Sequence, residues 1–434
     1  MIDINQTRRG FIKTLLKSAG GLLALWPFSR LVTASTTALD PRPGLPNPYV
    51  TPDGRPYLVS VSGDDFGRSL RTGLAALGGL GLLINSNQDV LIKPNLVYTE
   101  EYPTTSDVNS IVATIQAVQQ VSSGVITVGD GGSINNQQIY DYLGVEEPVN
   151  DAGANLVVFD ETYLVRRTSW PEEMPDFEVW ADIYDTPILI NLCALKRHYA
   201  AFLTCAIKHH VGAMSGPNRT DTRSYLHDFD DQSNEFLTTL AEMAGLVNPE
   251  LTIVDARQIM AINGPLRSYG GEIRDCNRII ICGDPVATDA YCAQLMQQHD
   301  ETFNADWTLP TLQRAEELGL GTANLDNVEI IELEQTSIED MAGPPVPDRY
   351  GILRNYPNPF NGSTTIRFQL PEKSSVRLEI YDMLGRRIAR LADDVYSAGI
   401  HDVVFNAKGL ASGTYYIKLA TPEHSLSRAM VLLK

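Results

Sequence analysis

The chain lacks several patterns that mark common classes of redox and membrane proteins. None of its five cysteines stands in a CxxC pair, so an iron–sulfur cluster or a zinc ribbon has no support. No run of about 18 apolar residues occurs, which predicts no integral membrane segment in the mature chain. The cysteine count is odd, so at least one thiol stays free, and we expect the cysteines to be buried apolar side chains.

Basic residues are scarce between residues 39 and 348. This segment contains 17 Lys and Arg against 45 Asp and Glu, whereas residues 1–38 contain five against one and residues 349–434 contain twelve against seven. The middle segment therefore carries a net charge of −28 within a chain of net charge −19. A surface this acidic argues against nucleic acid or an anionic membrane as a partner.

The first residues have the features of an export signal. Arg8-Arg9-Gly10-Phe11-Ile12-Lys13 precedes a mildly apolar stretch, and small residues follow at Val32-Thr33-Ala34, as in a cleavable signal peptide. The order Arg-Arg-x-Phe-Ile-Lys resembles the twin-arginine signal, which implies export of a folded protein by the twin-arginine machinery. The alternative is an amphipathic helix of the mature fold. We assign residues 1–38 to the signal and residues 39–55, with five prolines, to an extended linker.

Short alternating segments after a second linker, residues 336–352, predict a small all-β, immunoglobulin-like sandwich over residues 353–434. In Val376–Tyr381 the apolar residues alternate with Arg377 and Glu379, so one face of the strand is buried and the other is exposed. Turn residues such as Gly399 and Gly413 separate six strand patterns, the first of which begins at Thr364. This spacing is typical of a sandwich.

Three motifs of this sandwich carry a resemblance. They are Asn355-Tyr356-Pro357-Asn358-Pro359-Phe360-Asn361, Ile380–Arg386 and Leu410–Tyr416. The motifs resemble the type IX (Por) secretion C-terminal sorting domain, which is similar to the immunoglobulin-like module of flagellar hook-capping proteins. The resemblance implies the type IX export machinery as a partner, passage through the periplasm, and a final location at the cell surface or outside the cell. A sandwich used for adhesion is the alternative.

Strand and helix patterns alternate over residues 56–335, which predicts an α/β domain whose mostly parallel sheet has helices on both faces. Continuous apolar runs such as Ile279-Ile280-Ile281 suit strands that are buried on both faces. The predicted strands include Tyr57–Ser62, Pro187–Leu192, Leu251–Val254 and Arg278–Ile281. Ligands of such folds bind beyond the carboxyl ends of the strands, so we expect the ligand-binding residues in the segments that follow them.

Polar residues follow several of these strands. We expect six of them to bind a ligand: Lys93, Asn95, Asp130, Gly131, Asp284 and Asp289. The turn Gly129-Asp130-Gly131-Gly132 lacks the GxGxxG pattern of dinucleotide sites, and a simple tight turn is its alternative interpretation. For Asp284 and Asp289 the alternative is a role at a helix terminus, where the helix dipole favours a carboxylate.

The lysines and histidines of the acidic middle segment are concentrated at few positions. Its only lysines are Lys93, Lys196 and Lys208, and four of its five histidines (His198, His209, His210 and His227) lie within thirty residues. A desolvated pocket of lysine and histidine suits binding of a carboxylate or phosphate and transfer of a proton. We therefore predict Lys196, His198, Lys208 and His209 as catalytic residues and His227 as a ligand-binding residue. A buried helix with charged ends is the alternative for residues 205–210.

These residues also carry a family resemblance. Ile92–Leu96, the Gly129–Gly132 turn, Lys196-x-His198, Ile207-Lys208-His209 and Gly283–Ala290 resemble the bacterial and archaeal domain of unknown function family 362 over residues 57–300. The family usually has Lys-Thr-His where this chain has Lys196-Arg197-His198, and Lys-Asn where it has Lys208-His209. Some members carry ferredoxin-like cysteine motifs that this chain lacks, so we expect no iron–sulfur cluster. The resemblance implies no particular reaction.

Together these observations predict an exported protein whose Lys/His pocket acts on a small anionic substrate, either a carboxylate or a phosphate. Lys93, Lys196 and Lys208 would hold the anion, and His198 or His209 would transfer a proton. Asp130, Asp284 or Asp289 would orient a base or bind a divalent metal, whose identity stays unassigned. The alternatives are a non-catalytic surface protein that captures an anion or a metal, and a structural surface protein.

Overall fold

The computed structural model describes residues 39–132, 136–159, 165–168, 177–216, 222–226, 228–335 and 350–434. The predicted signal peptide and most of the predicted linker 336–352 lie outside these residues. All described residues belong to one compact unit. None of the helices in the described part of the chain combines the length and the hydropathy that a membrane-spanning segment needs.

The α/β region follows the predicted alternation of strands and helices. Its strands are β1 (Tyr57–Ser62), β2 (Val90–Lys93), β3 (Ile126–Val128), β4 (Asn155–Leu156), β5 (Val165–Thr168), β6 (Phe177–Trp180), β7 (Leu189–His198), β8 (Phe202–Thr204), β9 (Met214–Gly216), β10 (Leu251–Ala261), β11 (Glu272–Cys282) and β12 (Glu329–Glu334). Its helices are α1 (Phe66–Ala76), α2 (Val108–Gln119), α3 (Asn136–Leu143), α4 (Glu146–Asp151), α5 (Ala181–Asp185), α6 (Thr222–Leu226), α7 (Asn234–Val247), α8 (Pro285–His299) and α9 (Leu309–Glu317).

The central sheet has nine strands in the order β12-β1-β11-β10-β7-β2-β3-β4, with β8 paired to β7. Strand β7 runs parallel to both β10 and β2, and β3 and β4 continue the parallel part. Strand β11 runs antiparallel to β1 and β10. The sheet is therefore mostly parallel, as predicted, but mixed, because β10 and β11 are joined by a hairpin loop instead of a crossover helix. A small separate sheet has the order β5-β6-β9.

Helices cover both faces of the central sheet, as predicted. Val59 and Ile281 pack in one apolar cluster with side chains of α1 and α2. Their neighbours Leu58 and Ile280 pack on the opposite face with side chains of α8. This division follows from the alternation of side chains along a strand. The five cysteines are free and buried.

Residues 39–55, predicted as an extended linker, form no helix but pack against the α/β region. The guanidinium of Arg42 lies 2.9 Å from the carboxylate of Glu250, and both side chains are buried. Glu250 also accepts hydrogen bonds from the backbone N–H groups of Leu45 (3.0 Å) and Leu189 (2.7 Å). One carboxylate thus joins the N-terminal segment to the start of β7.

The C-terminal region is all antiparallel β-structure, as predicted. Its strands are β13 (Gly351–Tyr356), β14 (Ser363–Leu370), β15 (Ser374–Asp382), β16 (Arg387–Tyr396), β17 (Gly399–Asn406), β18 (Gly413–Ala420) and β19 (Ser425–Leu432). They form a three-stranded sheet, β13-β14-β17, and a four-stranded sheet, β16-β15-β18-β19. Phe368 and Phe405 of the first sheet pack against Ile380 and Ile417 of the second. Strand β13 was not predicted, because polar and apolar residues do not alternate regularly in its sequence.

Replacing Glu250 by Gln should lower the free energy of unfolding by about 3–5 kcal/mol, because the charge of Arg42 then stays buried without a counterion. The matched control is Glu301→Gln, which removes the exposed partner of Arg274 and should leave the stability nearly unchanged, since solvent screens that pair. Urea unfolding of both variants measures the difference. Equal effects of the two substitutions would contradict the structural role of Glu250.

Candidate functional site

A cavity of about 220 Å³ lies beyond the carboxyl ends of β2, β3 and β7. This is the edge of the sheet where the sequence analysis expected a ligand. Six of the eleven predicted site residues line the cavity: Asn95, Asp130, Lys196, His198, Lys208 and His209. The parallel strands therefore bring together side chains that are more than one hundred residues apart in the chain.

Lys93, predicted to bind the ligand, lies behind the cavity wall in a buried ion pair. Its Nζ lies 2.6 Å from Oδ1 of Asp130 and donates a second hydrogen bond to the backbone oxygen of His209 at 2.9 Å. The other carboxylate oxygen of Asp130 accepts from the N–H of Leu96 at 2.7 Å. A buried charge needs such a partner and further hydrogen bonds. Lys93 thus connects β2, the turn after β3 and the segment that carries His209.

Gly131, the other predicted ligand-binding residue of that turn, allows two backbone segments to approach each other. Its N–H donates to the backbone oxygen of Gly212 at 2.8 Å. A Cβ atom on Gly131 would clash with that oxygen, and one on Gly212 would clash with the carboxylate of Asp130. The glycine-rich turn therefore serves close packing around the ion pair.

His209 is held by one ring nitrogen only. Its Nε2 lies 2.8 Å from the backbone oxygen of Lys93, which can only accept, so Nε2 carries the proton. Its Nδ1 is buried and has no hydrogen-bond partner among the described residues. Burial, together with the nearby ammonium of Lys93, holds the pKa of His209 well below its usual range. The ring is therefore neutral at physiological pH, with a lone pair on Nδ1.

Lys196 places a positive charge in the cavity wall. Its side chain is 1% exposed and donates to Oδ1 of Asn95 at 2.9 Å and to the backbone oxygen of Thr104. Asn95 is itself fixed, because its N–H donates to the hydroxyl of Ser106 at 2.9 Å. Thr204, opposite Lys196 in the β7–β8 pair, also lines the cavity, and its hydroxyl has no partner in the described part of the chain.

His198 and Lys208 line the same cavity but are only half-buried. Nδ1 of His198 accepts from the N–H groups of Ala200 and Ala201, each at 3.2 Å, so the proton of the neutral ring lies on Nε2. The ring of His198 stacks on Tyr199 with centroids 5.1 Å apart. Both residues are more accessible to solvent than Lys196 and His209.

Two family models match the chain. Residues 90–294 match the Domain of unknown function (DUF362), and residues 354–433 match the Secretion system C-terminal sorting domain. The residues that line the cavity all lie within the segment that matches the DUF362 model. The sorting domain implies the type IX export machinery and a location at the cell surface or outside the cell.

Individual proteins show more limited similarity. The thylakoid-associated protein sll1697 of Synechocystis sp. is 26% identical over 260 residues, which are 58% of this chain and 74% of that protein. PorZ, a surface component of the type IX secretion system of Porphyromonas gingivalis, is 22% identical over 19% of this chain and 12% of its own, with a TM-score of 0.16. Lactate racemase apoprotein from Thermoanaerobacterium thermosaccharolyticum is 11% identical over 54% of this chain and 55% of its own, with a TM-score of 0.34.

Asp284 and Asp289, which follow β11, do not line the cavity. Asp284 caps helix α8, because it accepts from the N–H groups of Val286 and Ala287 at 2.9 and 2.8 Å. This is the alternative that the sequence left open. Asp289 accepts from the N–H of Ala206 at 2.6 Å and so fixes the turn before Lys208. Burial raises the pKa of each carboxyl to about 6.

The remaining predictions concern His227 and a metal. His227 lies outside the described residues. Within the described ranges, no group of three or more His, Cys, Asp and Glu side chains is arranged to hold a metal ion.

The aromatic part of the cavity was not predicted from the sequence. Tyr98, Tyr199, Phe236 and Tyr269 line it, together with Thr204. Tyr199 directly follows His198, which is a signal that could have identified it. Tyr269 comes from the loop between β10 and β11, about seventy residues further along the chain, and no local pattern connects it to the site.

The buried neutral state of His209 predicts a pH dependence of stability that His209→Gln should remove, since glutamine keeps an N–H at the position of Nε2. Below pH about 6.5 the unfolded wild-type chain binds a proton at His209 that the folded chain excludes, so wild-type stability falls as the pH decreases. As the pH decreases below this value, the free energy of unfolding of the variant should therefore rise relative to that of the wild type by up to about 1.4 kcal/mol per pH unit.

Urea unfolding of both proteins between about pH 7 and pH 5 measures this difference. The contributions of His210, Asp284 and Asp289 cancel because both proteins contain them. A difference that does not change with pH would contradict a neutral His209.

Proposed function

We propose that the cavity binds a small organic anion and that His209 removes a proton from it, which makes the protein an exported enzyme. The observation that carries this proposal is the Nδ1 of His209, a buried and neutral histidine in a cavity wall that also contains Lys196, because this nitrogen has no hydrogen-bond partner among the described residues. Buried polar atoms without a partner are rare, and a ligand donor would satisfy this one.

The charge distribution supports an anionic ligand. The segment of net charge −28 places all three of its lysines at this one site. Lys93 forms an ion pair with Asp130 behind the cavity wall, and Lys196 places its ammonium in the wall itself, where it donates to Asn95 and Thr104. An ammonium in a buried wall is stabilised by a carboxylate or phosphate, and Lys208 adds a second charge at the more exposed side.

Binding of the anion would also prepare the base. The ammonium of Lys196 is one of the groups that lower the pKa of His209. A bound anion offsets that positive charge, so the pKa of His209 rises when the substrate is present and the ring accepts a proton more readily. The hydrogen bond from Nε2 to Lys93 keeps the ring in place during the transfer.

The two ends of the chain support the route of export. Arg8-Arg9-Gly10-Phe11-Ile12-Lys13 supports the twin-arginine machinery as the first step, from cytoplasm to periplasm. The C-terminal sandwich supports the second step, and its two antiparallel sheets suit the proposed likeness to the hook-capping module. The substrate would then be met at the cell surface or outside the cell.

Calorimetric titration of the full-length chain with malonate, pyruvate, lactate and inorganic phosphate tests binding. Lys196→Met should weaken binding of any bound probe at least about tenfold, because a charge-assisted hydrogen bond is lost. The control is Lys373→Met in the C-terminal region, which should bind like wild type. Absence of binding for all four probes, or equal binding by Lys196→Met, would contradict the proposal.

Proton transfer is tested by NMR in D₂O, which follows exchange of the activated carbon-bound protons of pyruvate and malonate. The His209→Gln variant should still bind the probe, but its exchange rate should be at least about a hundredfold lower, since a general base usually contributes at least this factor. Binding without exchange in wild type would instead favour a protein that captures the anion.

A further inference from the structure

We infer that the preferred ligand of this cavity carries an aromatic ring beside its anionic group, and that Tyr199 and Tyr269 hold this ring. The inference rests on the proposed function, because it names the class of the proposed anion.

The cavity is polar on one part of its wall and apolar on the other. Lys196, Thr204 and His209 are buried and supply the polar part. The apolar part consists of Tyr98, Tyr199, Leu226, Phe236, Leu266 and Tyr269. The volume of about 220 Å³ is more than an acetate or a phosphate ion fills. A ligand that satisfies only the polar part would leave apolar wall in contact with water.

Three rings that line the cavity, those of His198, Tyr199 and Tyr269, form a connected group. His198 stacks on Tyr199 with an interplanar angle of 18°, and Tyr199 meets Tyr269 edge to face with centroids 5.6 Å apart. Tyr269 is 49% exposed although it is large and aromatic. Aromatic rings pair in offset-stacked and edge-to-face arrangements, so a flat ring in the ligand would extend this group and cover Tyr269.

The two tyrosines are held in place before any ligand binds. The N–H of Tyr199 donates to the backbone oxygen of Gly264 at 3.0 Å, which ties the end of β7 to the loop 262–271. A Cβ atom at Gly264 would clash with the backbone oxygen of Arg197, so glycine permits this close approach. Nδ2 of Asn263 donates to the backbone oxygen of Tyr269 at 2.7 Å. A preorganised wall loses little conformational entropy on binding, which favours a binding role for it.

The test compares acetate, cyclohexylacetate and phenylacetate by calorimetric titration of the full-length chain. Phenylacetate should bind at least tenfold more tightly than acetate, and more tightly than cyclohexylacetate, because only the flat ring can stack. Tyr269→Ala should weaken phenylacetate binding three- to tenfold and leave acetate within twofold, while Tyr269→Phe should keep most of the affinity. The control is Tyr142→Ala, which removes an exposed tyrosine from α3 and should change neither affinity.

Each other outcome overturns the inference in an identifiable way. If acetate binds and phenylacetate binds no better, the ring subsite is wrong while the proposed function stands. If neither acetate nor phenylacetate binds to wild type, the inference fails, and binding of malonate, pyruvate, lactate or phosphate decides separately whether the proposed function stands. If Tyr269→Ala weakens both acids equally, Tyr269 supports the fold of the loop instead of a ligand ring, and a lower melting temperature of that variant would show it.

Discussion

The ammonium of Lys93 and the carboxylate of Asp130 lie 2.6 Å apart in the interior of the α/β region, and the site is built around this pair. Lys93 is the last residue of β2, Asp130 lies in the turn after β3, and Lys93 donates its second hydrogen bond to the backbone oxygen of His209. Because neither charge is stable alone in the interior, these three segments must meet. Burial and the ammonium of Lys93 lower the pKa of His209, and the backbone oxygen of Lys93 accepts a hydrogen bond from its Nε2. Lys93 therefore helps to set both the charge and the orientation of the proposed base.

Much of this arrangement was predictable from residue types and their spacing. Strand β1 has the predicted bounds, Tyr57–Ser62, because Leu58, Val59 and Val61 form a short apolar segment between two ends that carry hydroxyl groups. The scarcity of lysine made Lys93, Lys196 and Lys208 conspicuous, and the topological rule for α/β sheets explains why segments so far apart in the chain converge. What residue types could not show is that Lys93 forms an ion pair behind the cavity wall and that Lys196 lines the cavity, although both lie at strand ends.

The errors in the bounds of the central strands have a common physical cause, because polar residues lie inside those strands. Strand β7 was predicted to end at Leu192 but continues through Lys196 to His198, because the cavity accommodates side chains that would otherwise be expected in a loop. Strands β10 and β11 extend well beyond Leu251–Val254 and Arg278–Ile281 and form a hairpin. Its loop carries Tyr269, so the aromatic wall of the cavity depends on a tertiary contact that no local pattern reports.

The central claim is that His209 is a neutral base whose strength responds to an anion in the cavity. The most direct measurement is the ¹⁵N NMR titration of the His209 ring in the full-length chain, free and with saturating acetate. The account predicts a neutral ring with the proton on Nε2 near pH 7 in the free protein, and a higher pKa when acetate is bound. A ring that is doubly protonated near pH 7, or a pKa that acetate leaves unchanged, would contradict it.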